Sequence, residues 1–170
     1  MFTKRDNNSF RVVLVFVDDL LVTGNDNLHI YKLKKDLHLK FPIKDLGDAS
    51  YFLGIEICRT PHGVLLTQSK FIIEILQEVG LIACKPTKVP LPQGLKLDII
   101  EGPNLHNPES YRRIIGKLLY LTLTRPDIAY VVQHLSQYVH DPKKEYEKAA
   151  MHVLRYRKRM TNLGLLPSSR

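Results

Sequence analysis

The sequence predicts an α+β chain in which antiparallel hairpins come first and short helices follow. Three observations carry that expectation. Before residue 68, β-branched and aromatic residues gather in short runs bounded by turn formers. From Ser69 onward, apolar residues recur at helical spacing. Between residues 83 and 107, Pro86, Pro90, Pro92, Gly94, Gly102 and Pro103 exclude a sustained helix or a central strand and predict a linker or extended loop.

Taken in order, residues 10–17 (FRVVLVFV) read as a strand, and LLVT resumes the pattern after Asp18 and Asp19 until Gly24, Asn25 and Asp26 break it. A buried hairpin with the acids at its tip is expected. Asn25 to Asn27 can cap a helix carrying Ile30, Leu33, Leu37 and Phe41 at helical intervals, with Lys32, Lys35 and Lys40 on its wet side and an end near Pro42. Gly47 opens a turn, SYFLGIEICRT reads as a strand, Pro61 to Gly63 turn the chain, and VLLTQ returns. Ser69 is the expected N-cap of a helix with Ile72, Ile75, Leu76 and Val79 on one face and Gly80 as its stop. Asn107-Pro108, Arg125-Pro126 and Asp141-Pro142 each place proline at a first helical position, so three short helices should pack with the Ser69 helix.

The chain has 170 residues and 44% hydrophobic content, enough for one domain or two small ones. Its formal charge of +8 favours a polyanionic partner such as nucleic acid. Cys58 and Cys84 form no CxxC pair, so two free thiols in a reducing, intracellular setting, cytoplasm or nucleus, are expected. The basic start followed by VVLVFV imitates a secretion signal, but Asp18 and Asp19 interrupt it and no small-residue cleavage site follows. No run approaches the roughly 20 apolar residues of a membrane span.

The acid pair raises the chemical question. An unpaired carboxylate in a low-dielectric site costs several kcal/mol or takes up a proton, so LVFVDDLLVTGND must hold either a wet turn or a cation site. Neighbouring residues on a strand face opposite ways, and two adjacent acids converge only where the backbone turns. Magnesium accepts a few carboxylate oxygens and keeps water or phosphate elsewhere, which suits phosphoryl transfer between two metals. His134 and His140 lack metal-ligand spacing and a partner set, so no zinc site is expected.

Around the pair stand FVDDLLVTGND, LKKDLHLKFPIKDLG, YFLGIEICR, LTQSKFIIEILQEVGL and SYRRIIGKLLYLTLTRPDIAYVVQHLSQ, in one order and at one spacing. Over most of the chain this set resembles the reverse transcriptase of copia-type long-terminal-repeat retrotransposons. The resemblance implies a partial palm of hairpins plus helix over residues 1–68, a thumb-like helix over 69–82, a linker over 83–107 and a helical thumb and connection region over 108–163. It makes Asp18 the principal Mg²⁺ (or Mn²⁺) ligand, with Asp19 its neighbour, and implies a primer–template duplex as partner. Tyr51, Phe52, Leu53 and Gly54 look like the hairpin that grips a primer end, and glycine permits close backbone approach. TRPDIAY, with Arg125 and Asp127, reads as architecture.

The family pattern also includes a third aspartate on an earlier strand, preceded by fingers. Asp6, the only acid before Asp18, is separated from the tip by about 25 Å of strand at about 3.3 Å per residue. A truncated polymerase, inactive alone and completed by a separate N-terminal half, is therefore the first expectation. PKKEYEKAA departs from the family's usual His-Trp, and the last segment resembles the helix before a ribonuclease H domain. Lys143, Lys144, Lys148, Arg155, Arg157, Lys158 and Arg159 outnumber Glu145 and Glu147, so this terminal helix could track phosphates. The alternatives are a non-catalytic nucleic-acid-binding module and an unstable retroelement remnant with an exposed apolar edge.

Overall fold

The computed structural model describes residues 1–6, 8–92, 94–95, 97, 102–159 and 164–166. Its mixed α/β architecture divides into two units, Met1–Phe52 and Leu53–Arg170. The helices and hairpins expected from the sequence are present, with additions and corrections.

In the first unit, β1 (Phe2–Asp6), β2 (Ser9–Phe16) and β3 (Asp19–Gly24) form an antiparallel sheet in that order. β1 was not foreseen; its FTKRD sequence carries only one large apolar residue, so alternation does not announce it. Asp26 is the N-cap of α1 (Asn27–Lys40), its side chain accepting from the His29 N–H at 3.1 Å. The helix stops at Phe41, whose extended φ of −134° and ψ of 142° suit a residue preceding proline. A two-residue strand, β4 (Tyr51–Phe52), closes the unit.

The expectation of a buried hairpin is overturned here. Val15, Phe16, Val17 and Leu20 are 47%, 55%, 82% and 39% exposed. None of the described residues of this unit is buried, and even Ile30, Leu33 and Leu37 of α1 are only half-covered. A small sheet with one short helix has too little surface to enclose a core of its own.

The second unit begins with β5 (Ile55–Thr60) and β6 (Gly63–Thr67), paired from Thr60 opposite Gly63 to Glu56 opposite Thr67. The following helix, α2 (Ser69–Glu78), starts one residue differently from expectation: Gln68, not Ser69, holds the N-cap position and makes no side-chain cap bond. Gln68 is buried, its amide oxygen accepting from Thr124 Oγ1 at 2.7 Å. The capping acceptor comes instead from Glu56 on β5, which takes the Lys70 N–H at 2.8 Å and the Thr67 hydroxyl at 3.3 Å. Gly80 ends the helix as expected: at φ 70°, it lets the Leu81 N–H reach the Leu76 carbonyl at 2.7 Å.

Among the described residues, three more α-helices follow: α3 (Pro108–Leu121), α4 (Ala129–Ser136), led by a 3-10 turn over Pro126–Ile128, and α5 (Lys144–Lys158). Asn107 caps α3, accepting from the Glu109 N–H at 3.2 Å, with Pro108 at its first helical position. Pro142 does not start α5; Lys143 is the N-cap, and the Pro142 carbonyl accepts from the Leu105 N–H at 2.7 Å. The helices pack as expected: α2 lies against α5, and α3, α4 and α5 contact one another. Ile75, Leu118, Leu121, Leu135 and Leu154 are fully buried between them. Each such side chain contributes about 1.5–3 kcal/mol relative to exposure.

Candidate functional site

Phe16 stands opposite Asp19 in the β2–β3 register, which leaves Val17 and Asp18 as the two residues of the turn. Val17 takes φ 49°, while Asp18 stays out of the left-handed region. A positive φ at the first central position matches the twist of tight hairpins, though a β-branched residue is strained there. Asp18 in the turn and Asp19 at the head of β3 are both exposed, and the turn is what allows neighbouring carboxylates to serve one ion.

Two accessible carboxylates fit a hard divalent cation that keeps water or substrate phosphate in its remaining positions. They are a partial donor set. Among the described residues, no group of three or more His, Cys, Asp or Glu is placed to hold a metal. Asp6 is engaged elsewhere: it pairs with Ser9 at the end of the hairpin away from the turn and accepts from Arg11 Nη2 at 2.9 Å.

At residues 51–54, Tyr51 is exposed and Phe52 half-buried. Leu53 and Gly54 both have positive φ, 50° and 78°, the pattern of a two-residue type I′ turn. The Tyr120 hydroxyl of α3 donates to the Leu53 carbonyl. A Cβ added at Gly54 would come within 2.9 Å of that same hydroxyl, so the close approach that glycine permits is used by Tyr120. Phe71 meets the Tyr120 ring edge-on at 5.1 Å.

Comparison with known proteins gives the family. Residues 1–93, more than half of the chain, match the family model for reverse transcriptase (RNA-dependent DNA polymerase). The chain belongs to the reverse transcriptase family. It is 39% identical, over 97% of its length, to the retrovirus-related Pol polyprotein from transposon RE1 of Arabidopsis thaliana, and 36% identical, over 91%, to that from transposon TNT 1-94 of Nicotiana tabacum. These are Pol polyproteins of copia-type elements, and the chain spans 11% and 12% of their respective lengths. An uncharacterized mitochondrial protein of Arabidopsis thaliana is 42% identical over 85% of the chain, which covers 60% of that relative. No solved structure matches the chain.

In this reverse transcriptase chain, the seven cations of the terminal segment do not all reach one solvent face. Arg157 is fully buried, and burial, aided by the charge of Arg125, lowers its pKa to about 10. Arg155 Nε donates to the Lys85 carbonyl at 3.2 Å and Lys158 Nζ to the Cys84 carbonyl at 2.5 Å. Lys148 meets Glu145 at 2.5 Å, Lys143 is half-buried, and Lys144 and Arg159 are exposed. Two of this set, Arg155 and Lys158, therefore strap residues 84–89 onto α5, helped by His152 Nε2, which donates to the Val89 carbonyl at 3.1 Å.

The TRPD segment is tied together by side-chain hydrogen bonds. Arg125 grips Asp127 with Nε at 2.7 Å and Nη2 at 2.6 Å, and the Tyr156 hydroxyl adds a third bond to Asp127 at 3.0 Å. The hydrogen bonds from Arg125 hold the Asp127 carboxyl below the usual carboxylate range. Cys58 and Cys84 are free thiols. No helix among the described residues is long and apolar enough to cross a membrane.

Proposed function

We propose that this chain is the carboxyl-terminal part of the palm, with thumb and connection, of an RNA-directed DNA polymerase from a copia-type retrotransposon, working on a primer–template duplex inside the cell. The observation that carries the reading is the pair of exposed adjacent carboxylates at the β2–β3 turn, Asp18 within it and Asp19 at the head of β3, in the segment matched by the reverse transcriptase family model. Asp18 and Asp19 would hold Mg²⁺ or Mn²⁺. Such an ion, when bound, polarises a phosphoryl oxygen and lowers the charge repulsion facing the attacking 3′ hydroxyl. Asp18 and Asp19 would supply the negative charge that anchors it. Tyr51, Phe52, Leu53 and Gly54 would lie against the primer backbone, with Tyr120 fixing the Leu53 carbonyl. Lys144, Lys148 and Arg159 are the terminal cations with solvent access for phosphates, while Lys143 borders them and Arg155, Arg157 and Lys158 support the segment behind them.

Two carboxylates are too few for a two-metal site, so the chain by itself is expected not to extend a primer; a third carboxylate supplied by a complementary polymerase half would complete it. Primer extension on a primed RNA template with magnesium tests both statements. The 170 residues alone should give no product, and adding the complementary half should give template-dependent product that Asp18→Asn abolishes. Extension by the chain alone, or extension indifferent to Asp18→Asn, would reject the assignment. A second reading, a nucleic-acid-binding module without catalysis, is favoured by the charge of +8 and would leave duplex affinity intact in Asp18→Asn with no activity in either format.

A further inference from the structure

The first unit holds a second polar site, apart from the acid pair. It is a cleft of about 280 Å³ lined by Lys4, Asp6 and Arg11 from the sheet and by His29, Lys32 and Asp36 from α1, with Leu33 as an apolar wall. Lys4 and Arg11 are directly opposed in the β1–β2 register. The Arg11 side chain keeps only 16% of its exposure, and its Nη2 donates to Asp6 Oδ2 at 2.9 Å. Lys4 Nζ stands 3.7 Å from the same carboxylate oxygen. Among the described residues, the buried Nε–H of Arg11 has no hydrogen-bond partner.

An unsatisfied buried donor costs about 1–3 kcal/mol, and more on a charged group, so an acceptor here would be strongly held. The acceptors within the cleft are Asp6 and Asp36, against the cations Lys4, Arg11 and Lys32. Asp6 is already committed to two of those cations, and the charge balance of the lining remains positive. Arginine presents its Nε–H and an Nη–H in a planar fork that matches phosphate oxygens, and flanking lysines add charge without demanding geometry.

We propose that this cleft binds a phosphate group, carried by a nucleotide or by a nucleic-acid backbone, with the Arg11 Nε–H as the orienting donor and Lys4 and Lys32 as charge partners. The site is distinct from the tip: Arg11 lies opposite Gly24 at the other end of the hairpin, about 17 Å of strand from Phe16 at about 3.3 Å per residue. It stands on its own geometry and does not depend on the polymerase reading.

The test is a titration of the whole nitrogen-15-labelled chain with inorganic phosphate, following the arginine Nε–H signals by NMR. A saturable shift of the Arg11 signal is expected. Lys32→Ala, on an exposed helical position, should weaken binding by about tenfold, the loss of one charge-assisted contact. Arg11→Lys keeps the charge opposite Asp6 but loses the fork, and it should weaken phosphate similarly; if that variant unfolds, Lys32→Ala carries the test. Competition then identifies the source: displacement by a nucleoside triphosphate alone assigns a nucleotide site, and displacement by a single-stranded oligonucleotide assigns a backbone site. An Arg11 signal that does not move with phosphate, or equal affinity in the wild type and Lys32→Ala, overturns the proposal.

Discussion

Glu56 lies on β5 and completes α2. Its carboxylate takes the Lys70 N–H, an orphan donor of the helix start, while the true N-cap residue, Gln68, turns inward to Thr124. Glu56→Ala is expected to lower stability by about 1 kcal/mol, the usual cost of losing a cap, with Glu56→Gln recovering most of it; urea unfolding midpoints measure both. Two titrating groups make a second prediction. Burial holds the His152 ring below its ordinary pKa, with the Val89 carbonyl opposing this in part and Arg155 adding to it, and hydrogen bonds from Arg125 hold Asp127 below its own. In both cases the unfolded chain binds protons first. The stability tied to His152 is therefore intact above about pH 6.5 and falls as the pH drops below it, while that tied to Asp127 is lost only below about pH 3.9. Thermal midpoints recorded from pH 8 to pH 3 should decline in that order, and His152→Gln should flatten the upper part of the curve. At this scale the sequence was partly legible. Asp18 and Asp19 stand out because apolar runs flank them, whereas Glu56 and Tyr120 act on partners 14 and 67 residues away, a relation that no local pattern encodes.

Among the elements, the β2–β3 turn carries a β-branched residue in the left-handed region. Val17 takes φ 49°, which a β-branched side chain resists. Val17→Gly removes about 1–2 kcal/mol of left-handed strain and loses about 0.5–1 kcal/mol to chain entropy, so a small net gain in thermal stability is expected. A lower melting temperature in that variant would show that Val17 makes compensating contacts. The helix signals were read well where the signal is local: Asn107-Pro108 opens α3 and Gly80 closes α2 through a backbone bond that only a left-handed residue permits. They were misread at Asp141-Pro142, where the Pro142 carbonyl is drawn to Leu105 and the helix waits until Lys144. The terminal helix illustrates the same limit. Its cations look like one phosphate-tracking face in sequence, but Arg155 and Lys158 point their charge at backbone carbonyls of a proline-rich segment, and Arg157 is enclosed by the helices.

For the molecule as a whole, one apolar alphabet produces two different outcomes. The periodic runs of α2 to α5 find each other and form a buried core, whereas the equally apolar FRVVLVFV leaves its residues half-covered or exposed. Hydropathy reports which side chains favour burial; it does not report whether a neighbouring layer exists to bury them. The fold class was legible for that reason and the depth of the hairpin was not. The same exposure leaves Asp18 and Asp19 open to an ion, which is the premise of the proposed chemistry. Manganese titration of the nitrogen-15-labelled chain examines that premise most directly, because a bound paramagnetic ion broadens the signals of nearby amides. Selective broadening of residues 16–20, weak in affinity as two carboxylates dictate and absent in Asp18→Asn, is expected. Broadening centred elsewhere, or unchanged by Asp18→Asn, would contradict the assignment of the hairpin turn as the metal-binding end of the polymerase.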